Sequence, residues 1–206
     1  MAASHGYDTN GIGAEVKIGE GIIGVVAKKK KLMDIARQTI REYVQNRSLY
    51  QITESDPGLN AVEGAFVTIH KQGELRGCIG NIIGRGPLYL TVRNMAVAAS
   101  SEDPRFNPVE PNELNELEIE ISVLSQPKML QGADAIVMGK HGVIISRGMN
   151  SGVFLPQVAT ETGWSKEEFL SELCSQKAGL SRDCWQDPNT KIEIFTADVF
   201  SEKDIK

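Results

Sequence analysis

The segment "LEIEISVLS" constrains the fold of this chain more than any other, because apolar and polar residues alternate along it without interruption. Ile119, Ile121 and Val123 would share one face of a strand, and the two glutamates and the serine between them would share the other. A strand with this alternation belongs to a sheet that has one face covered by the core. The opposite face is therefore expected to be wet or functional.

Four further segments indicate strands. "AFVTIHK" and "ELRGCIGNII" are joined by "QG", which is typical of a hairpin with Gly73 in the turn. "HGVIISRGMNSGVFLP" has the pattern of a second hairpin, which ends at Pro156. The alternating "KIEIFTADVF" near the end of the chain predicts a late strand that completes the main sheet.

Three segments indicate helices. Apolar residues recur at helical spacing from Leu32 to Val44, and Pro87 stands at the start of a second helical pattern. In a third segment Ser165 and Glu168 form a capping box, and Gly179 supplies a C-cap. The order helix, hairpin, helix, strand, hairpin, helix, strand predicts an α+β fold with a mostly antiparallel sheet and packed helices.

Length and charge limit the class of protein. The chain has 206 residues and a net charge of −5, which suits one large domain or two small subdomains and gives no general attraction to nucleic acid or anionic membranes. The run of lysines at 28–31 is interpreted as a solvated domain boundary. Residues 1–27 are assigned to a loosely ordered N-terminal extension and residues 28–206 to the folded domain. No signal peptide and no membrane span are expected, because the apolar run "IIGVVA" is far too short.

The three cysteines are widely spaced and include no CxxC pair. This pattern predicts neither a disulfide framework nor a zinc site, and it favours a reducing cytoplasm. Cys174 and Cys184 are expected to be packed in the core. No metal site is predicted, no nucleotide-binding fingerprint is present, and no cofactor is indicated.

The stretch "LRGCIG" holds the main candidate for chemistry. Strand periodicity places Arg76, Cys78 and Gly80 on one face, so that the guanidinium would favour the thiolate form of the cysteine. Gly77 and Gly80 would let a ligand or another backbone approach closely. Two interpretations stay open: Cys78 is either a reactive thiol or a small core residue beside a bulge.

Other residues are weaker candidates. His141 precedes a glycine at the start of a predicted strand and is the best of three histidines for a general base. Glu118 and Glu120 are spaced like paired carboxylates, but alternating glutamates are also common on exposed strand faces. The proline-braced "EDPRF", which combines an acid, an arginine and an aromatic ring, is either a ligand clamp or a salt-bridged corner.

Together these motifs resemble the AMMECR domain family. The resemblance rests on "LRGCIG", "EGAFVTIHK", "EDPRF", "LEIEISVLS", "HGVIIS", "SGVFLPQVA" and "GWSKEEFLSELCSQKAGL", and it covers residues 32–200. It implies two α+β subdomains, with the signature strand near a cleft between them. It also implies the following positions as candidate catalytic or ligand-binding residues: Arg76, Gly77, Cys78, Gly80, Glu102, Asp103, Arg105, Phe106, Glu118, His141, Gly142, Pro156 and Gln157.

The resemblance also implies partners. Prokaryotic members resemble one component of a three-part set that includes a Memo-type protein and a radical-SAM protein, which suggests a modification pathway. The leading hypothesis is a cytoplasmic enzyme or enzyme component in which Cys78 is the nucleophile or contacts the ligand. Arg76 would bind an anionic group, and His141 or Glu118 would handle protons. The alternative is a non-catalytic adaptor whose glycine-rich strand lines a groove for a peptide or protein.

Overall fold

The structure is a computed structural model and describes residues 22–205. In that range the helices are α1 (Ile22–Asn46), α2 (Leu88–Ser101), α3 (Pro156–Thr162) and α4 (Lys166–Glu172). The strands are β1 (Gly64–Lys71), β2 (Glu74–Asn81), β3 (Leu117–Leu124), β4 (Lys128–Leu130), β5 (His141–Arg147), β6 (Asn150–Phe154) and β7 (Lys191–Ser201). All the pairings between these strands are antiparallel, which confirms the predicted α+β class.

One sheet runs through the molecule in the order β2-β1-β3-β7-β5-β6. Strand β7 is long enough to serve both halves, because residues 197–201 pair with β3 and residues 191–196 pair with β5. The short strand β4 also pairs with β7. The sheet therefore has two halves that β7 connects.

Each half has its own apolar core. Helices α1 and α2 cover one face of β1 and β3, where Val67, Ile69 and Ile121 are fully buried. In the other half α4 packs against β5 through residues such as Phe169 and Ile145. The alternation in "LEIEISVLS" is confirmed, since the apolar positions of β3 face the first core.

A third, smaller cluster lies on the opposite face of the sheet. Leu124, Ile144 and Phe195 are buried there, and the partly buried Phe66 and Ile82 pack against them. By register this is the face that carries Thr68, Glu118 and Glu120 in the first half. We call it the Cys78 face, because Cys78 also lies on it.

The helix starts and caps agree with the sequence patterns in most places. The capping box of Ser165 and Glu168 is formed, and Gly179 has the positive φ of 64° expected after a helix. Helix α1, however, begins at Ile22 and so includes the last residues of the segment that the sequence assigns to the extension. Residues 1–21, the rest of that segment, lie outside the described residues.

The prediction about cysteine pairing is wrong. Cys174 and Cys184 form a disulfide with a Cα–Cα distance of 6.0 Å, although both are buried in the second core as expected. The two residues are only 10 positions apart, and a turn containing Gly179 brings them together. Spacing alone did not indicate the pair, because the turn that closes it depends on the packing of the helix. Cys78 is the free cysteine among the described residues.

Candidate thiol site

A β-bulge decides which way Cys78 faces. In the β1–β2 hairpin His70 lies opposite Leu75, but the next residue of β1, Ile69, lies opposite Gly77, so that Arg76 is the extra residue. A regular hairpin would place Cys78 opposite Val67, whose side chain is in the first core. Because of the bulge, Cys78 lies opposite Thr68, on the other face. The same bulge interrupts the alternation that had placed Arg76 beside Cys78.

The Arg76 side chain instead fastens the 102–113 segment to β2. Its Nε and Nη2 donate to the carboxylate of Glu113 at 3.1 and 2.9 Å, and its other contacts are the carbonyl oxygens of Asn107 and Pro108 at 2.8 and 3.3 Å. Arg76 lowers the pKa of Glu113 from 4.5 to about 2, chiefly through this hydrogen bond. The guanidinium is therefore occupied by protein groups.

Cys78 is half-buried and is held from three sides. Its Sγ accepts a hydrogen bond from the Thr68 hydroxyl at 3.2 Å. Its main-chain N–H donates to Oδ2 of Asp103 at 2.8 Å, and its carbonyl accepts from Nη2 of Arg105 at 3.3 Å. Side chains of the segment after α2 thus satisfy both main-chain polar groups of Cys78 and cover this part of the sheet edge.

Asp103 organises this corner. It is only 4% exposed, and it accepts from the main-chain N–H of Arg105 at 3.1 Å as well as from Nε and Nη2 of that arginine at 2.9 and 2.7 Å. Its hydrogen bonds with Arg105 are the main cause that holds the pKa of Asp103 well below its usual range. The carboxylate is ionised at neutral pH and fixes the position of the guanidinium.

Arg105 keeps one edge of its guanidinium open. Its side chain is 54% exposed, and Nη1 has no hydrogen-bond partner within residues 22–205. The guanidinium lies 5.5 Å from the centre of the Phe106 ring. Its pKa is raised, first by the hydrogen bond to Asp103 and further by the charge of that carboxylate. A fixed cation with a free donor therefore lies beside the main chain of Cys78.

The glycines of the signature strand allow close packing. A Cβ on Gly77 would overlap the carbonyl oxygen of Ala99 in α2, and one on Gly80 would overlap the ring of Phe66. Both glycines thus accommodate protein groups, a helix backbone in one case and an aromatic ring in the other. Glu102 is exposed at the end of α2 and takes no part in these contacts.

The three proposed catalytic residues do not converge. Glu118 shares the Cys78 face, but it lies opposite His70 and pairs with Lys203 at 2.6 Å, which lowers its pKa. His141 begins β5 and lies opposite Thr196, whereas the neighbouring Gly142 lies opposite Phe195 of the Cys78 face. His141 is therefore on the other face. Strands β1, β3 and β7 separate its strand from β2, about 19 Å along the sheet.

The side chains of His141 and Gln157 are placed by other parts of the fold. The ring Nδ1 of His141 accepts a hydrogen bond from the N–H of Val137 at 3.1 Å. Gln157 lies in the first turn of α3, and its Oε1 is buried without a hydrogen-bond partner in the described part of the chain.

A small cavity lies beyond the end of β2, where the two halves of the sheet meet. Its volume is about 230 Å³, and it is lined by Val62, Gly64, Ile82, Ile83, Gly84, Gln126, Pro127 and Glu193. Cys78 does not line it. No local sequence pattern marks Thr68, Glu113 or Glu193, since each is placed by strand register or by a loop.

Neither a membrane helix nor a metal cluster is found in the described region. Across residues 22–205 no helix is both long and apolar enough to cross a bilayer. In the same range no three His, Cys, Asp or Glu side chains are grouped so that they could hold a metal ion.

Comparison with known proteins gives the family. The sequence profile of the AMMECR1 family matches residues 33–200. The chain belongs to this family. Among AMMECR1-like relatives, a protein of Thermococcus gammatolerans is 43% identical over 183 residues, which are 84% of this chain and 89% of the relative. A protein of Thermococcus kodakarensis is 42% identical with the same coverage.

A solved structure agrees with this assignment. The crystal structure of an uncharacterised protein from Pyrococcus horikoshii matches with a TM-score of 0.77 at 38% identity, covering 84% of this chain and 91% of that one. The AMMECR1 fold and the family assignment therefore rest on both sequence and structure.

Proposed function

We propose that this AMMECR1-family protein is an enzyme or enzyme component that uses the Cys78 thiol on a substrate with an anionic group. One observation carries the proposal: the thiol lies on the Cys78 face, away from the first core, and Arg105, whose guanidinium has an open edge, contacts the carbonyl of Cys78. A nearby cation favours the thiolate, the nucleophilic form of cysteine. The free Nη1 of Arg105 would bind a carboxylate or phosphate oxygen of the substrate.

The neighbouring residues support this arrangement. Thr68 donates a hydrogen bond to the sulfur, and Asp103 fixes both the main chain of Cys78 and the guanidinium of Arg105. Arg105 thereby takes the role that the sequence suggested for Arg76, whose donors are bonded to Glu113 and to main-chain carbonyls. The geometry favours neither Glu118 nor His141 as the group that moves protons.

The setting of this activity is also a proposal. By family resemblance the protein would act in a modification pathway with a Memo-type protein and a radical-SAM protein. Family membership alone supports these partners. A cytoplasmic setting was inferred from the spacing of the cysteines, and the Cys174–Cys184 disulfide removes that support. Nucleic acid is not proposed as a partner, because the chain has a net charge of −5.

A second candidate function is a non-catalytic adaptor. Val62 and Ile83, near the ends of β1 and β2, are 49% and 63% exposed, which is unusual for large apolar side chains grouped at one place. These residues would contact a protein partner beside the glycine-rich strand. In that case substitution of the thiol would leave binding intact.

The rate of alkylation of Cys78 distinguishes the thiol-based enzyme from the non-catalytic adaptor. With iodoacetamide at pH 7 we expect Arg105→Gln to slow the reaction by about three- to tenfold, because the thiolate loses its neighbouring cation. Arg85→Gln is the matched control, since Arg85 is exposed and has no hydrogen bond or ion pair within residues 22–205. Equal rates in the two variants would remove the case for a thiol activated by Arg105 and favour the adaptor.

A further inference from the structure

The cavity between the two halves of the sheet has one charged group. Glu193 of β7 lines it together with the apolar side chains of Val62, Ile82, Ile83 and Pro127. By register Glu193 lies opposite Ile144, a member of the third apolar cluster. The carboxylate is therefore placed at the border of an apolar environment.

Glu193 has no partner in the described part of the chain. It is only partly exposed, and neither a hydrogen bond nor an ion pair to it occurs within residues 22–205. A carboxylate that is partly removed from water is stabilised when a cation comes close to it. A cationic group from another molecule would therefore interact favourably with the Glu193 carboxylate.

A second acceptor is available in the same cavity. The side-chain amide of Gln126 donates to the carbonyl of Val62 at 3.4 Å, which leaves its Oε1 free to accept. An ammonium group has three donors and no acceptor, so that it would use both the Glu193 carboxylate and this oxygen.

The rim of the cavity is apolar and exposed. Val62 and Ile83 lie on one side, and Met129, which lies opposite Glu193 in the β4–β7 pair, is 52% exposed. The inner wall is formed by closely packed main chain, because a Cβ on Gly84 would come within 2.5 Å of the Glu63 carbonyl oxygen. The site is thus a small recess with a closely packed inner wall, an apolar rim and one carboxylate in its lining. We call it the recess.

We propose that this recess receives a lysine side chain from a partner protein, with apolar residues of the partner on the rim. The aliphatic stem of the lysine would lie along Val62, Ile83 and Pro127, and its ammonium group would meet Glu193. The volume of about 230 Å³ is below the usual 300–1,000 Å³ of pockets for drug-sized ligands, which suits one side chain. The proposal does not depend on the chemistry of Cys78.

Amide chemical shifts of the full chain test the proposal. The probe is the peptide acetyl-Leu-Lys-Leu-amide, and the matched peptide has norleucine in place of lysine. We expect the lysine peptide to shift the amides of Val62, Ile83 and Gly84, with at least fivefold stronger binding than the norleucine peptide. Glu193→Gln should abolish that preference, whereas Glu161→Gln, at an exposed glutamate of α3, should keep it.

Other outcomes of these binding experiments would contradict the proposal. Equal binding of the two peptides would overturn the proposal. The absence of any amide shift when the lysine peptide is in excess would overturn it as well. Free 1,5-diaminopentane serves as a further probe and should bind more weakly than the peptide, because it lacks the flanking leucines. If it binds as tightly, the recess is a site for small amines and the protein partner is excluded. The amide spectrum of Glu193→Gln shows whether that variant is folded.

Discussion

Asp103 accepts the main-chain N–H of Cys78 at 2.8 Å, although the two residues are 25 positions apart. The same carboxylate holds Arg105, which donates to the carbonyl of Cys78. A loop after α2 therefore supplies the hydrogen bonds that a neighbouring strand would otherwise make. This contact joins the two most distinctive motifs of the chain, "LRGCIG" and "EDPRF", into one structure.

Asp103→Asn should destabilise the fold by about 2–3 kcal/mol, because the amide cannot balance the charge of Arg105 and leaves buried donors poorly paired. Urea unfolding at pH 7 measures the effect. Asp134→Asn is the control, since Asp134 is exposed and its side chain has no hydrogen bond or ion pair in the described region. Equal unfolding free energies for the two variants would show that the hydrogen bonds of Asp103 do not stabilise the fold.

The lowered pKa of Glu113 makes the free energy of unfolding depend on pH in the acid range. Its pKa is lowered to about 2 in the folded state, so its contribution is complete above its ordinary value of 4.5 and is lost as the pH falls toward about 2. The difference in unfolding free energy between the wild type and Glu113→Gln should be about 2–3 kcal/mol at pH 7. It should shrink steadily between pH 4.5 and pH 2.

Urea unfolding at pH 7, 4 and 2.5 tests this dependence, with Glu161→Gln as a control that should track the wild type. A difference between wild type and Glu113→Gln that stays constant with pH would mean that the ion pair with Arg76 contributes nothing.

Gly77→Ala should destabilise the protein by about 2–3 kcal/mol, because the new methyl group would overlap the Ala99 carbonyl in the backbone of α2. Gly86→Ala is a matched control, since a Cβ there meets no atom within 4 Å. Thermal unfolding compares the two variants. If Gly77→Ala is as stable as Gly86→Ala, helix α2 does not approach β2 as closely as described.

The disulfide between Cys174 and Cys184 predicts the number of reactive thiols. Under denaturing conditions without reductant, one thiol should react with a maleimide, at Cys78, and three should react after reduction. Mass spectrometry counts the adducts. Replacing both cysteines with alanine should cost about 2–3 kcal/mol, as for the closure of a short loop. Three thiols before reduction would disprove the disulfide.

Local sequence patterns were sufficient for most secondary structure. The apolar positions of β3 and the capping box at Ser165 were predictable, because each depends only on residues that are close in sequence. The disulfide was not predictable, since it depends on how the helical turn Leu173–Lys177, which follows α4, leads into the reversal at Gly179.

The candidate site required contacts between distant segments. The residues that the resemblance singled out include both Asp103 and Arg105, but nothing local showed that they hold Cys78 or that Glu113 occupies Arg76. His141 is a suitable base by sequence because histidines are few. Only the strand register shows that it lies on the other face, and only the strand order shows that three strands separate it from β2.

The sequence by itself determined the strand, its glycines and the presence of a thiol in it. Only the tertiary structure decided which way that thiol faces. A regular two-residue hairpin would have turned Cys78 toward Val67 and the core, where it would be a small apolar residue. The extra residue Arg76, held by Glu113 from a loop more than thirty positions away, shifts the register by one and places Cys78 beside Thr68. Because strand side chains alternate, that single shift moves the thiol from the face of the first core to the Cys78 face.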